Sequence, residues 1–388
     1  MSIHPNPLHI ADTTVLLVGQ PGVPAGPTLD PASRLAAELI RPAPHERVLL
    51  LGAAHPALGV VLAQRLPAGH LVLSDPHVLV RRMASLTLAT NACTNTEVAD
   101  AVSLLPQAAG TFDRVIILGP RSRALARRWL VEAQVLLRPT GILNLAGANQ
   151  AGIQSLISDA KALFGTSQML GYGGSCRVAA LTQANPLPPA PPWASLGGIA
   201  PGTWHTLQLE LPDGPLHLVS LPGSFSYEHL DPGTKLLLRQ LGPLAGLNVL
   251  DVGCGYGVLG IAAARQGAAH VTMLDVCQLA LAAAHENCAR LGLQNVSIYA
   301  SNGLEAVSSA TTPRFDLILS NPPFHSGRTI DRSLATTFFG NARSVLQPQG
   351  RLLLVANSFL NYETLLAANF ARVVVAQRTP SYKVLLAE

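Results

Sequence analysis

The chain has 388 residues, 48% of them hydrophobic and only 12% charged, with a formal net charge of +4. Disorder needs low hydrophobicity and high charge, so this composition excludes a disordered chain, and it equally excludes collagen-like and coiled-coil architectures. The length suits two domains, and the sequence has neither a run of about 18 apolar residues nor, at Met1–Pro5, the basic start and apolar run of a signal peptide.

The five cysteines (Cys93, Cys176, Cys254, Cys277 and Cys288) form no CxxC pair. They argue against a disulfide framework or a metal site and for a reducing cytoplasm. Residues 1–192 carry 14 Lys and Arg against 10 Asp and Glu, whereas residues 193–388 carry 12 of each. The whole basic excess lies in the first half, which is where a polyanion contact is to be sought.

In chain order, the first half offers apolar strands at Val48–Gly52, Leu71–Asp75 and Phe112–Ile117, and a Leu137-Arg-Pro-Thr-Gly141 segment. Between Asn185 and Trp193 stand five prolines within seven residues. Proline fixes φ and removes a donor, so residues 186–200 read as a stiff connector between a domain over 1–185 and another over 201–388. The second half predicts strands at Asn248–Val252, His270–Asp275, Val296–Tyr299, Phe315–Ser320 and Arg351–Ala356. Helices are expected over Val258–Gln266, Leu279–Leu291 and Leu334–Val345. Continuous apolar strands alternating with helices indicate an α/β fold with a mostly parallel sheet covered on both faces.

The two halves share one order. Val48–Gly52 matches Val249–Gly253, Leu71–Asp75 matches Val271–Asp275, and Thr90-Asn91 matches Glu286-Asn287. Phe112–Ile117 matches Phe315–Ser320, and Leu137–Gly141 matches Leu346–Gly350, at an offset near 200 throughout. Five matches in order predict an internal duplication. The copies diverge where chemistry would sit. Gly253-Cys-Gly-Tyr-Gly257 faces Gly52-Ala-Ala-His-Pro56, and Asn321-Pro-Pro-Phe324 faces Leu118-Gly-Pro-Arg121. The second copy is expected to be equipped and the first degenerate.

Asp251–Gly257 is strand, glycine-rich turn, then helix, the arrangement that lets a ligand approach the backbone. Gly255–Gly260 also fits the dinucleotide pattern GxGxxG, so a nicotinamide oxidoreductase is a rival reading. Three features favour S-adenosylmethionine. Asp251 suits an ammonium-bearing ligand end and would repel a pyrophosphate, Asn302 can address an adenine edge, and a dehydrogenase has no use for Asn321–Phe324. Asp275 can accept from two ribose hydroxyls and serves either cofactor. In Asn321–Phe324, the Asn321 side-chain oxygen and the Pro322 carbonyl can each accept one N–H of an exocyclic amine, while Phe324 offers a face for the base. No general base is evident beside them, and His325 reads as structural or RNA-facing.

Asp251–Gly257 with Asn321–Phe324 resembles the class I S-adenosylmethionine-dependent methyltransferases that methylate amines. Phe225–Leu237, Ser320–Gly327, Ala356–Leu360 and Tyr382–Leu385 extend the likeness to the RsmC-type ribosomal RNA guanine-N2 methyltransferases, with the related RlmG enzymes close by. That resemblance implies two tandem Rossmann-like methyltransferase domains, the N-terminal one degenerate. It implies S-adenosylmethionine on Asp251, Gly253, Gly255, Gly257, Asp275, Asn302 and Asn321, and guanine on Asn321, Pro322 and Phe324. Phe225 and Asp231–Thr234 would help close over the cofactor. The partner would be ribosomal RNA, of the small subunit before the large, or a ribosomal subunit rather than a membrane. One chain imitating a dimer implies a monomer. Adenine-N6 methylation, protein glutamine methylation and a non-catalytic assembly factor are the alternatives.

In the first copy Arg121, Arg123, Arg127 and Arg128 replace the amine-binding segment. Arginine forks suit phosphates and stack on unpaired bases, so this cluster is expected to grip RNA.

Overall fold

The computed structural model describes residues 6–19, 29–52, 56–100, 102–120, 122–211, 214–309, 313–322, 325–326, 329–330 and 332–388. Arg121, Pro323 and Phe324 lie outside them. The chain forms two compact units, residues 1–204 and 205–388.

The first unit runs β1 (Asn6–Ile10), β2 (Thr13–Leu17), α1 (Pro31–Leu39), β3 (Arg47–Leu51), α2 (Pro56–Gln64), β4 (His70–Ser74), α3 (Val78–Thr90) and β5 (Thr96–Val98). It continues through β6 (Phe112–Leu118), α4 (Arg123–Leu136), β7 (Leu137–Ala148), α5 (Ile153–Phe164), β8 (Gln168–Gly173) and β9 (Cys176–Thr182). The second unit opens with a hairpin, β10 (His205–Leu211) and β11 (Gly214–Ser220), then α6 (Pro232–Leu238), β12 (Asn248–Val252), α7 (Val258–Arg265), β13 (His270–Asp275), α8 (Gln278–Arg290) and β14 (Val296–Ala300). After it come β15 (Phe315–Ser320), the two-residue pair β16 (His325–Ser326) and β17 (Thr329–Ile330), α9 (Arg332–Val345), β18 (Leu346–Asn357), α10 (Tyr362–Ala367), β19 (Val373–Arg378) and β20 (Tyr382–Ala387).

Each unit holds a seven-stranded sheet of the same order, β5-β4-β3-β6-β7-β9-β8 in the first and β14-β13-β12-β15-β18-β20-β19 in the second. In each sheet the first five strands pair in parallel, and the sixth, β9 or β20, runs antiparallel to both of its neighbours. The central strands are apolar on both faces because helices cover both. Val48, Leu49 and Leu50 are fully buried, as are Val249 and Leu250.

The duplication is written in polar bonds as well as in topology. Asn91 accepts from the Leu16 N–H at 2.9 Å and donates to its carbonyl at 2.8 Å. Asn287 clasps Val219 in the same way, at 2.7 and 2.9 Å. Asp113 accepts from the Arg47 N–H and Asp316 from the Asn248 N–H, each at 2.8 Å. These side chains pin the hairpin and the first strand of each sheet, so they persist where the chemistry has not.

The proline-rich segment read as a stiff connector is grouped with the first unit, which runs to residue 204. The Arg127 guanidinium lies 4.8 Å from the Trp193 ring centroid, and Arg128 Nη1 donates to the Gly198 carbonyl at 2.8 Å. Proline stiffness prevents regular structure, but it does not prevent a segment from lying along a helix.

Asn287 is almost fully buried and donates to the Tyr256 carbonyl too, at 2.9 Å. Replacing Asn287 by Ala therefore strands buried backbone groups on two elements, and should cost about 1–3 kcal/mol in urea denaturation. The partly exposed Asn91→Ala should cost less. Equal losses would contradict this account.

Candidate active site of the second unit

In a doubly wound sheet, ligands bind beyond the carboxyl ends of the strands where the winding reverses. Here the chain leaves β12 toward β13 and β14, then crosses to β15 on the other side. The crevice therefore lies between the ends of β12 and β15, where Val252 pairs with Ser320. Ser320 Oγ closes the floor by donating to the Val252 carbonyl at 2.8 Å.

On the β12 side stands the glycine turn. Gly253, Gly255 and Gly257 have φ of +73°, +57° and +93°, which side chains with a Cβ adopt reluctantly. At Gly253 and Gly255 a Cβ would meet nothing within 4 Å, so the turn borders open space that a ligand can fill. The Gly253 and Cys254 N–H groups tie the turn to the Leu274 carbonyl at 2.8 and 2.9 Å.

Asp251 is fully buried, not displayed at the strand end. Its Oδ2 accepts from the Gly260 N–H at 2.8 Å, and its Oδ1 has no hydrogen-bond partner among the described residues. Burial pushes its carboxyl up to about 7, and the neighbouring Asp275 adds to the rise. The expected direct contact with an ammonium is thus replaced by a carboxylate lying beneath the turn. Gly260, the third glycine of the dinucleotide pattern, is an interior residue of α7, and a Cβ there would come within 2.6 Å of Met273 Cε, the close packing this position also provides in dinucleotide-binding folds. This glycine serves helix–strand packing.

Asp275 ends β13. Its Oδ2 accepts from Gly255 N–H and its Oδ1 from Cys277 N–H, both at 2.8 Å. One carboxylate so braces the turn and starts α8, and each oxygen retains a lone pair for a ribose hydroxyl. Burial raises its pKa. Asn302 is partly committed to its own turn, donating to Glu305 Oε1 at 2.8 Å. Phe225, 65% exposed, lies in the loop whose Gly223 carbonyl is 3.9 Å from Cys277 Sγ.

On the β15 side stands Asn321. Its Nδ2 donates to Asp231 Oδ2 and to Thr234 Oγ1, each at 2.9 Å. Both amide hydrogens are spent, so the oxygen is the end left to accept. The reverse orientation would press Oδ1 against the Asp231 carboxylate. Asp231 also caps α6 by accepting from Thr234 N–H at 2.8 Å. Sequence reasoning placed Asp231–Thr234 near the cofactor and missed this role. The signal available was Asp-Pro-Gly-Thr itself, an N-cap motif whose capping oxygen can accept a second hydrogen bond. A Cβ on Gly233 would lie 3.1 Å from the Tyr382 ring, so residues from three separate sequence stretches converge here. Pro322 is buried. Phe324 lies outside the described residues, and His325 is described only as a backbone partner of Ile330.

The equivalent crevice of the first unit is filled. Gly52 keeps a positive φ of +77°, yet a Cβ there would meet the Leu118 carbonyl at 2.8 Å and the Trp129 ring at 3.1 Å. Trp129, from α4, packs where Gly253 has open space. Of the arginines expected from sequence to grip RNA, Arg127 and Arg128 are turned inward. Arg123 and Arg127 both fork onto Asp159, at 2.8–3.1 Å, and Arg128 is buried against Glu132 at 3.1 Å. Burial alone would raise the Asp159 carboxyl, but the two guanidiniums together hold it below its usual range. Arg128 cannot reach a phosphate without abandoning a buried charge, and Arg127 lies under Trp193. Only Arg123, with 57% of its side chain exposed, faces outward, and Arg121 lies outside the described residues.

This fold and this crevice define a class I S-adenosylmethionine-dependent methyltransferase. The sequence profile of the methyltransferase small domain matches the chain twice, over residues 14–178 and 215–386. Ribosomal RNA small subunit methyltransferase C of Pseudomonas entomophila (strain L48) is 35% identical over 274 residues, 70% of this chain and 78% of that protein. Its namesake in Shewanella sp. (strain W3-18-1) is 33% identical over 279 residues, covering 70% of this chain and 75% of that protein. The solved structure of the T. thermophilus 16S rRNA N2 G1207 methyltransferase (RsmC), in complex with AdoMet and guanosine, covers 99% of this chain and 97% of its own with a TM-score of 0.79 at 29% identity. The chain belongs to the ribosomal RNA small subunit methyltransferase C family, built of two methyltransferase small domains.

The raised Asp251 carboxyl has a consequence for stability. A carboxyl that binds its proton more tightly when folded favours folding below about pH 4 and loses that contribution as pH rises toward about 7. Thermal unfolding of the ligand-free protein should therefore show Asp251→Asn gaining on the parent between about pH 5 and 8. A difference that stays constant with pH would contradict the assignment.

Proposed function

We propose that this chain transfers a methyl group from S-adenosylmethionine to the exocyclic N2 amine of a guanine in small-subunit ribosomal RNA. The observation that carries the reading is the pairing, across one crevice, of an open positive-φ glycine turn with an asparagine whose amide hydrogens are already bonded.

S-adenosylmethionine, when bound, supplies a methyl carbon on a positively charged sulfur. Gly253, Gly255 and Gly257 would take its methionine portion, Asp275 its ribose hydroxyls and Asn302 its adenine edge. The partnerless Asp251 Oδ1 would add negative potential beneath the ammonium. The guanine amine is a poor nucleophile, because its lone pair is delocalised into the ring. Asn321 Oδ1 and the Pro322 carbonyl would each accept one of its N–H groups, which orients the nitrogen and favours its pyramidal form. Phe324 would stack on the base.

The described residues include no helix long and apolar enough to cross a membrane. A monomer working in the cytoplasm, beside its ribosomal substrate, fits the internal duplication. Sedimentation of the purified chain would test the monomer directly.

Mass spectrometry of ribosomal RNA from cells lacking the protein should show one N2-methylguanine missing from the small subunit. The parent gene should restore it, and a full complement of methylated guanines in the deletion strain would refute the function. Asn321→Ala should lower kcat by about 10²–10³ while cofactor affinity stays within about twofold. Asp231→Ala, acting through Asn321, should lower kcat by about tenfold. An unchanged kcat in both would remove the assigned roles.

A further inference from the structure

The first unit has lost its cofactor crevice, and most of its arginines are neutralised from within. Arg65 is paired to Asp12, Arg81 to Asp100, Arg114 to Glu46 and Arg138 to Asp113, besides the pairs already described. Arg34 and Arg41 bond to backbone carbonyls and Arg47 lies over Phe112; Arg177 differs from these in resting on an exposed aromatic ring. The described residues give it no carboxylate partner. Its Nε donates to Asn149 Oδ1 at 2.7 Å, and its guanidinium lies over the Tyr172 ring, 5.0 Å from the centroid. Tyr172 is 64% exposed. A guanidinium steered by an amide and laid on an exposed aromatic face keeps its outer N–H groups for an anion, while the pair presents a flat surface for a base.

The ladder joins this pair to a pocket. Arg177 is the register partner of Gly147 on one side and of Tyr172 on the other, so all three point to one face of the sheet. Gly147 lines a pocket with Gly119, Pro120, Gly152, Ser155 and Arg123. That face is the one covered by α5, because a Cβ on Gly147 would meet Ile153 at 3.2 Å. The pocket lies beyond the ends of β6 and β7. The corresponding strands of the second unit are β15 and β18, and Asn321 directly follows β15. Duplication has therefore left, in the first unit, a recess at the edge that would receive the methyl acceptor in the second.

We propose that this edge of the first unit, formed by Arg177, Tyr172 and the glycine-lined pocket with Arg123 at its rim, is a binding site for an unpaired segment of the RNA substrate. One phosphate sits on the outer N–H groups of Arg177, and an adjacent base stacks on the Tyr172–Arg177 pair or enters the pocket. The occupant is single-stranded because a base held in a duplex has no free face to offer. The proposal rests on the RNA-methylating function given above. It shifts the centre of the RNA contact from Arg127 and Arg128, whose charges are satisfied inside the protein, to Arg177, and keeps Arg123 at the rim.

The test uses the full chain and a fluorescent single-stranded RNA copied from the small-subunit sequence around the target guanine. Arg177→Glu and Tyr172→Ala should each weaken binding by about tenfold at fixed salt. Arg177→Glu should also reduce the slope of log affinity against log salt by about one. Arg177→Lys, which keeps the charge and loses the fork, should fall between. In methylation assays the same variants should raise KM for RNA, leave kcat at saturating RNA unchanged, and leave cofactor affinity unchanged. Thermal unfolding at the parental midpoint establishes that the variants are folded. Parental RNA affinity and salt slope in folded variants would overturn the site, as would weakened binding to the assembled subunit alone, which would assign the face to a ribosomal protein. A parent enzyme that methylates no RNA would instead sink the function, so the two failures are distinguishable.

Discussion

The chemistry proposed for this protein depends on one side-chain amide. Asn321 Nδ2 gives one hydrogen to Asp231 Oδ2 and the other to Thr234 Oγ1. An asparagine left to solvent can present either end. Here a carboxylate and a hydroxyl choose for it, and they choose the end that can accept from an amine. Asp231 is itself held because the same oxygen caps α6. Acceptor geometry at the reacting nitrogen thus derives from a helix cap, and a local folding signal becomes a catalytic constraint.

The duplicated architecture separates what a methyltransferase unit needs to fold from what it needs to react. Both units keep the clasp of Asn91 or Asn287 on the hairpin and the aspartate that accepts from the start of the first sheet strand. Breaking either leaves backbone groups unsatisfied, whether or not the unit binds anything. The glycine turn is under no such constraint once the ligand is gone. In the first unit Trp129 occupies the side of Gly52 that stays open at Gly253, so what was a ligand surface has become core. Asp75 still accepts from His77 N–H, as Asp275 does from Cys277 N–H, both at 2.8 Å, because that bond starts a helix.

Much of this was legible in the sequence. The strands Asn248–Val252, His270–Asp275 and Phe315–Ser320 fall where apolar runs bounded by turn residues place them. The glycine turn and Asn321 come together because the position of the topological reversal follows from strand order. The failures share a cause: pairing across distance. Charge counting along the chain shows Arg123, Arg127 and Arg128 as a basic cluster, but it cannot see that Asp159, about 30 residues on, turns back to neutralise two of them. It equally cannot show that Arg177, alone in sequence, is set against Tyr172. Proline content predicts stiffness over 186–200, but not that Trp193 finds Arg127. For Asp251, position at a strand end suggested display, whereas the return of Gly260 from α7 buries it.

The most direct measurement of the central claim is a crystal structure of the chain with S-adenosylhomocysteine and guanosine. The account predicts the cofactor product against Gly253 and Gly255 in the second unit, with guanine N2 within hydrogen-bond distance of Asn321 Oδ1 and the Asn321 amide nitrogen still on Asp231. A guanine amine facing that nitrogen, or cofactor density beside Gly52 in the first unit, would contradict it.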